Sequence, residues 1–178
     1  MATIANTAAA SERHLGFPAR RGRTIIRSLI DHEILSPGAP GVAVEIGAAD
    51  FVSVLIALAS GAKIKDAADT VAQYTHMTPS GIHRDTVPNA PMKTAFDYLV
   101  DAVFAALGDI EMQRKVAPLT FDFCETWPEL AVHAPEGVTR FILVGSLARY
   151  WQSGRQRRST TISGLALINA ARDLFSTE

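Results

Sequence analysis

The chain has 178 residues, 48% apolar and 20% charged, a balance that excludes a disordered chain and leaves room for one domain or two small ones. Lys and Arg number 17 against 18 Asp and Glu, a net charge of −1, so no global field draws the protein to nucleic acid and any such contact must come from local patches. The lone Cys124 excludes an internal disulfide and offers no metal-site spacing. No apolar run approaches the ~18 residues of a membrane span, and MATIANTAAASER lacks a signal-peptide pattern, so a cytoplasmic location is expected.

In chain order, a first helix is expected over about Thr7–Leu15, with Thr7 as cap and Gly16 as the stop. Phe17-Pro18 then opens a second helix, about Ala19–Ile34, since proline is tolerated in a first turn where its missing N–H was unpaired anyway. On a wheel at about 100° per residue, Arg20, Arg23, Thr24, Arg27 and Asp31 fall within about 60° of one direction. Ile25, Ile26, Leu29 and Ile30 lie opposite. The pattern is an amphipathic helix with an apolar face for a core and an arginine-threonine face for something else.

After Gly38–Gly41, the run Val42–Ile46 (VAVEI) is β-prone and is expected to pair with residues just before the turn. Asp50–Ser60 reads as a helix apolar on nearly every side, hence buried or in a subunit interface, and Ile64–Tyr74 as a fourth helix. Residues 76–91, with three prolines, read as a linker. Beyond it, Met92–Leu107 predicts a helix with Phe96, Leu99, Val100, Val103, Phe104 and Leu107 inward. Leu119–Glu125 alternates like a half-buried strand, Glu129–Ala134 and Val138–Val144 read as a hairpin, and Gly164–Phe175 as a last helix capped by Ser163. The expected fold class is α+β and mostly helical. Its parts are a winged helix-turn-helix over residues 1–75 and a small domain of helices and antiparallel sheet over residues 92–178, for dimerisation or effector binding.

A short helix, a glycine turn and an arginine-faced second helix make a helix-turn-helix layout. Arg20, Arg21, Arg23, Thr24 and Arg27 are the candidate DNA contacts. Arginine reads guanine with two hydrogen bonds, and further guanidinium groups displace counterions from phosphates. The stretch ASERHLGFPARRGRTIIRSLIDHEILSPG, followed by GAADFVSVLIALASGAKIKDAADTVAQY, resembles the winged helix-turn-helix domain of MerR-type regulators. Arg27-Ser28 stand where that family has paired tyrosines, and Val44-Glu45 where its wing has arginine and tyrosine. The resemblance implies a transcriptional regulator on double-stranded DNA. A homodimer is expected, because one such unit reads half a site.

Other features are weaker. Arg149, Arg155, Arg157 and Arg158, with Tyr150 and Trp151 interleaved, form a second basic cluster, read either as a nucleic-acid contact or as a solvated loop with Trp151 in the core. The histidines His14, His32, His76, His83 and His133 have no metal-site spacing. No nucleophile elbow, phosphate loop or carboxylate pair suggests an enzyme or a cofactor. A phage-type DNA packaging subunit, or an interaction module for an acidic partner, are the alternatives.

Overall fold

The computed structural model describes residues 2–38, 42–83, 93–146 and 156–176. Its elements are β1 (Ala2–Thr3), α1 (Ile4–Leu15), α2 (Ala19–Asp31), β2 (Glu45–Ile46), α3 (Ala48–Ala59), a 3-10 turn (Ile64–Asp66), α4 (Ala67–His76), β3 (Met77–Pro79), α5 (Ala95–Leu107), α6 (Ile110–Val116), β4 (Thr120–Cys124), β5 (Glu129–Ala134), β6 (Gly137–Leu143), β7 (Ser159–Ser163) and α7 (Gly164–Phe175). The α+β class holds: helices pack over one five-stranded antiparallel sheet, ordered β3-β6-β5-β4-β7.

The helix α1 begins earlier than its alanines suggest. Thr3, not Thr7, is the cap, accepting the Asn6 N–H at 3.1 Å. Thr7 sits inside the helix with its hydroxyl donated to the Thr3 carbonyl at 2.9 Å. Gly16 ends α1 at φ 77°, the left-handed conformation in which glycine avoids a Cβ clash. The helix α2 stops at Asp31 rather than Ile34. Glu33 turns left-handed (φ 60°), and the Ile34 and Leu35 amides fold back onto the Leu29 carbonyl. That reversal buries Leu35.

The helix α3 is the centre of the molecule. Every residue from Phe51 to Ala59 is buried, enclosed by α2, α4 and α5, and Phe51 meets Phe175 of α7 edge-on at 6.1 Å. Its all-round apolarity serves the chain's own core. The buried side chains of residues 1–75 and 92–178 belong to one hydrophobic cluster, and Arg13 and His14 of α1 both reach Asp173 of α7.

Several expectations are corrected. The β-prone run contributes only Glu45–Ile46, and it pairs with Ala2–Thr3 rather than with residues before the turn. Met77–Pro79, expected within a linker, form an edge strand on β6. Phe104 is 58% exposed because the inward stripe of α5 is Ala95, Leu99, Ala102, Val103 and Ala106. The face against α3 and α7 is thus rich in alanine, and the large side chains lie beside it. The strand β4 is buried on both sides: Phe121 and Phe123 enter the core, while Asp122 is covered on the other face. Helix α6 and strand β7 had no counterpart in the sequence reading. Gly164 joins β7 to α7 where an added Cβ would lie 1.8 Å from the Val116 carbonyl oxygen, so no larger residue fits.

Candidate nucleic-acid interface

The face of α2 is set by what its other face does. Ile25, Ile26 and Leu29 are fully buried, and Gly22 lies against Ala8, bringing α1 and α2 close. The N-terminal amide at Ala19 donates to Glu12 Oε1 at 3.0 Å, placing a carboxylate at the positive end of the helix dipole. With one side committed to the core and one end capped, Arg20, Arg21, Arg23 and Arg27 are left exposed and Thr24 half-buried.

These five residues are not equivalent. Among the described residues, Arg20, Arg23 and Arg27 have no ion pair and no side-chain hydrogen bond. They sit at i, i+3 and i+7, on one stripe. Like charges at such spacings destabilise an isolated helix by about 0.2–0.5 kcal/mol per pair. Thr24 donates its hydroxyl to the Arg20 carbonyl at 3.0 Å. Arg21 points to the flank, where its Nη2 donates to the Ala62 carbonyl at 2.8 Å.

That flank holds cations the sequence reading passed over. Ser28 Oγ donates to the Ile64 carbonyl at 2.8 Å. Arg21 and Ser28 are two helical turns apart on one side, so residues 62–64 run alongside α2. Lys63 and Lys65, both exposed, sit within and next to this turn. Ile64, between the two lysines, opens the expected fourth helix as a 3-10 turn that runs on into α4.

The second basic cluster divides. Arg149, Tyr150, Trp151 and Arg155 lie outside the described residues. Arg157 and Arg158 are both bound to carboxylates in or beside the sheet, Arg157 partly covered and Arg158 74% exposed. Arg157 meets Asp122 at 2.7 Å and Glu129 at 3.3 Å. Arg158 grips Glu125 Oε2 through Nε and Nη2 at 3.0 and 2.9 Å. Glu129 also takes Arg140 at 2.5 Å and the Trp127 indole N–H at 2.9 Å. Glu129 and Asp122 are nearly inaccessible to solvent, and such partners offset the hydration a buried polar group gives up. The Arg158 and Thr160 contacts hold the Glu125 carboxyl below its usual range, with Arg21 adding a smaller pull. Cys124 is buried, with its Sγ 3.3 Å from Thr126 Oγ1.

Among the described residues, no group of three or more His, Cys, Asp or Glu side chains could hold a metal ion, and no helix is long and apolar enough to cross a membrane. The class defined so far is an α+β protein that presents an exposed arginine row on one helix, with no ion pair to Arg20, Arg23 or Arg27 among the described residues, beside a lysine-bearing turn. No family model matches the chain, and no curated protein or solved structure is significantly similar to it.

Proposed function

We propose that this protein is a sequence-specific regulator of transcription that reads double-stranded DNA with α2. One observation carries the reading: Arg20, Arg23 and Arg27 form an exposed, unpaired row on a helix whose opposite face is fully buried. An α-helix fits the major groove, and such a row suits guanine edges and phosphates together. In this reading α1 and α2 are the helix-turn-helix, as the likeness to MerR-type regulators implies. The β1–β2 ladder is the base of a wing. Arg21, anchored on Ala62, positions the flanking turn, and Lys63 and Lys65 meet the phosphate backbone. The protein acts in the cytoplasm as a homodimer on paired half-sites. Its α5–α7 and sheet portion dimerises or receives an effector, and it works by binding rather than by catalysis.

The test is selection of bound duplexes from a random pool, followed by titration of the selected site. Arg23→Ala with Arg27→Ala is expected to weaken binding at least tenfold, by the ~1–3 kcal/mol that a good base contact carries. Lys63→Ala with Lys65→Ala is expected to weaken all duplexes alike and to flatten the salt dependence. No enriched site, or equal affinity in the α2 double variant, defeats the assignment.

A further inference from the structure

The five-stranded sheet has two edges, and they are not alike. At one, β3 is three residues long, and its Met77 and Thr78 are buried. The Ser80 N–H donates to the Arg140 carbonyl at 2.7 Å. Hydrogen-bonded and non-bonded pairs alternate along an antiparallel ladder, so Pro79, one residue before, is an outward position. Proline has no N–H, and the donor that edge would offer there is absent.

The other edge, β7, has no such guard. The Glu125 N–H donates to the Arg158 carbonyl at 2.8 Å, and the Gly164 N–H to the Leu119 carbonyl at 2.7 Å. Between these bonds the register against β4 is one-to-one, without a bulge. The same alternation turns the backbone groups of Thr160 and Ile162 toward β4, and those of Ser159, Thr161 and Ser163 away from the sheet. All three are exposed, and no described residue bonds their outward N–H groups. The strand, STTIS, carries neither charge nor proline. Natural sheets guard an exposed edge with charge, proline or a bulge, because an open edge accepts another strand.

The spacing says which strand. A copy related by a two-fold axis presents the same residues in reverse order, which is what an antiparallel partner requires. With the axis at Thr161, the Thr161 N–H meets the partner's Thr161 carbonyl and the Ser163 N–H meets the partner's Ser159 carbonyl, each twice by symmetry. The Thr161 hydroxyl is tied to Asp122 Oδ1 at 3.2 Å, on the sheet face and clear of the edge. Leu165, 58% exposed in the first turn of α7, lies two residues past the strand and offers apolar surface at its end.

We propose that the protein dimerises through β7, joining two sheets into one continuous antiparallel sheet. This rests on the homodimer of the DNA reading and names its interface, but it is measured without DNA.

The experiment is sedimentation equilibrium of the full chain over a concentration series, where the parent is expected to dimerise. Thr161→Pro gives β7 the guard that Pro79 gives β3, and no backbone bond to β4 is lost because Thr161 makes none. The dissociation constant should rise at least about tenfold, as two neutral hydrogen bonds are lost across the axis. Thr161→Val loses the same hydroxyl but keeps the N–H, and should dimerise like the parent. Thr161→Lys sets like charges opposite each other, and should weaken the dimer up to about fivefold at low salt and recover as salt is added. Thermal melting shows whether each variant folds; if the proline variant does not, the lysine variant decides. A monomeric parent, a folded Thr161→Pro that dimerises like the parent, or a Thr161→Lys dimer indifferent to salt overturns the proposal. A dimer lost in Thr161→Pro from a parent that binds no duplex defeats the DNA reading alone. Duplex binding by a parent whose dimer survives Thr161→Pro defeats the β7 pairing alone.

Discussion

The arginines of the sheet and those of α2 are the same residue put to opposite uses. Arg140, Arg157 and Arg158 each end on a carboxylate, two of them on the nearly inaccessible Glu129. Arg20, Arg23 and Arg27 end on none among the described residues. Around Asp122 and Glu129 the carboxylates have left water and are held by partly covered guanidinium groups, so removing an arginine takes from a buried carboxylate its charged partner. On α2 the charges stay solvated, repel one another weakly, and contribute nothing to the core beneath. A guanidinium held by the fold belongs to the fold; one left open is available to something outside it.

The largest test of that contrast is Arg157→Ala. It leaves Asp122, whose side chain is 9% exposed, without its cation and with the Thr161 hydroxyl at 3.2 Å as a neutral partner, while Glu129 keeps Arg140. Deleting one partner of a fully buried pair costs about 3–5 kcal/mol. The Arg157 side chain is 29% exposed, so about 2–4 kcal/mol is expected, read as a shift of the urea midpoint with unchanged slope. A loss within the roughly 0.5 kcal/mol of an ordinary surface substitution would erase the distinction between the two regions.

A smaller effect is expected at Glu125, because its partner Arg158 is 74% exposed and water screens such a pair to below about 1 kcal/mol. The pH dependence is more telling. The folded Glu125 carboxyl lies below its ordinary value of 4.5, chiefly through Arg158 and then Thr160. A depressed carboxyl contributes stability in full above its unfolded value and loses it as pH falls through the folded one. Glu125→Gln should therefore be less stable than the parent at neutral pH, and the gap should close as the medium is acidified below about 4.5. Melting temperatures across that window measure it; a gap that widens on acidification would reverse the assignment.

These arginines also show where the sequence was readable and where it was not. The α2 face follows from helical periodicity alone, because its apolar residues repeat with the turn of the helix. The β5–β6 hairpin follows from two strand-like runs flanking the turn at Pro135-Glu136-Gly137, and α7 from Ser163 as cap. Long-range pairings left no local trace. Nothing near Arg157 points to Asp122, since the contact exists only after β7 has paired with β4. Ser159–Ser163 is a polar run that becomes a strand through the edge it lies against, and Met77–Pro79 is hidden by its own proline. The turn at residues 62–64 was missed because its link to α2 depends on two backbone carbonyls, which no side-chain pattern announces.

The smallest stability effect is expected on α2 itself, and it decides what those arginines are for. Arg23→Ala with Arg27→Ala removes two exposed cations that touch no carboxylate, so unfolding free energy should change by less than about 0.5 kcal/mol. The sign can even favour the variant, because the i,i+4 repulsion between the two is relieved. Salt separates the cases further. In the parent, added salt screens the repulsion and should raise the melting temperature slightly; in the variant that increment should shrink. A neutral substitution that also abolishes duplex binding would place the arginines' role outside the fold. If the variant instead melted as early as Arg157→Ala, the helix arginines would be structural after all, and the argument for a groove-binding face would lose its only support.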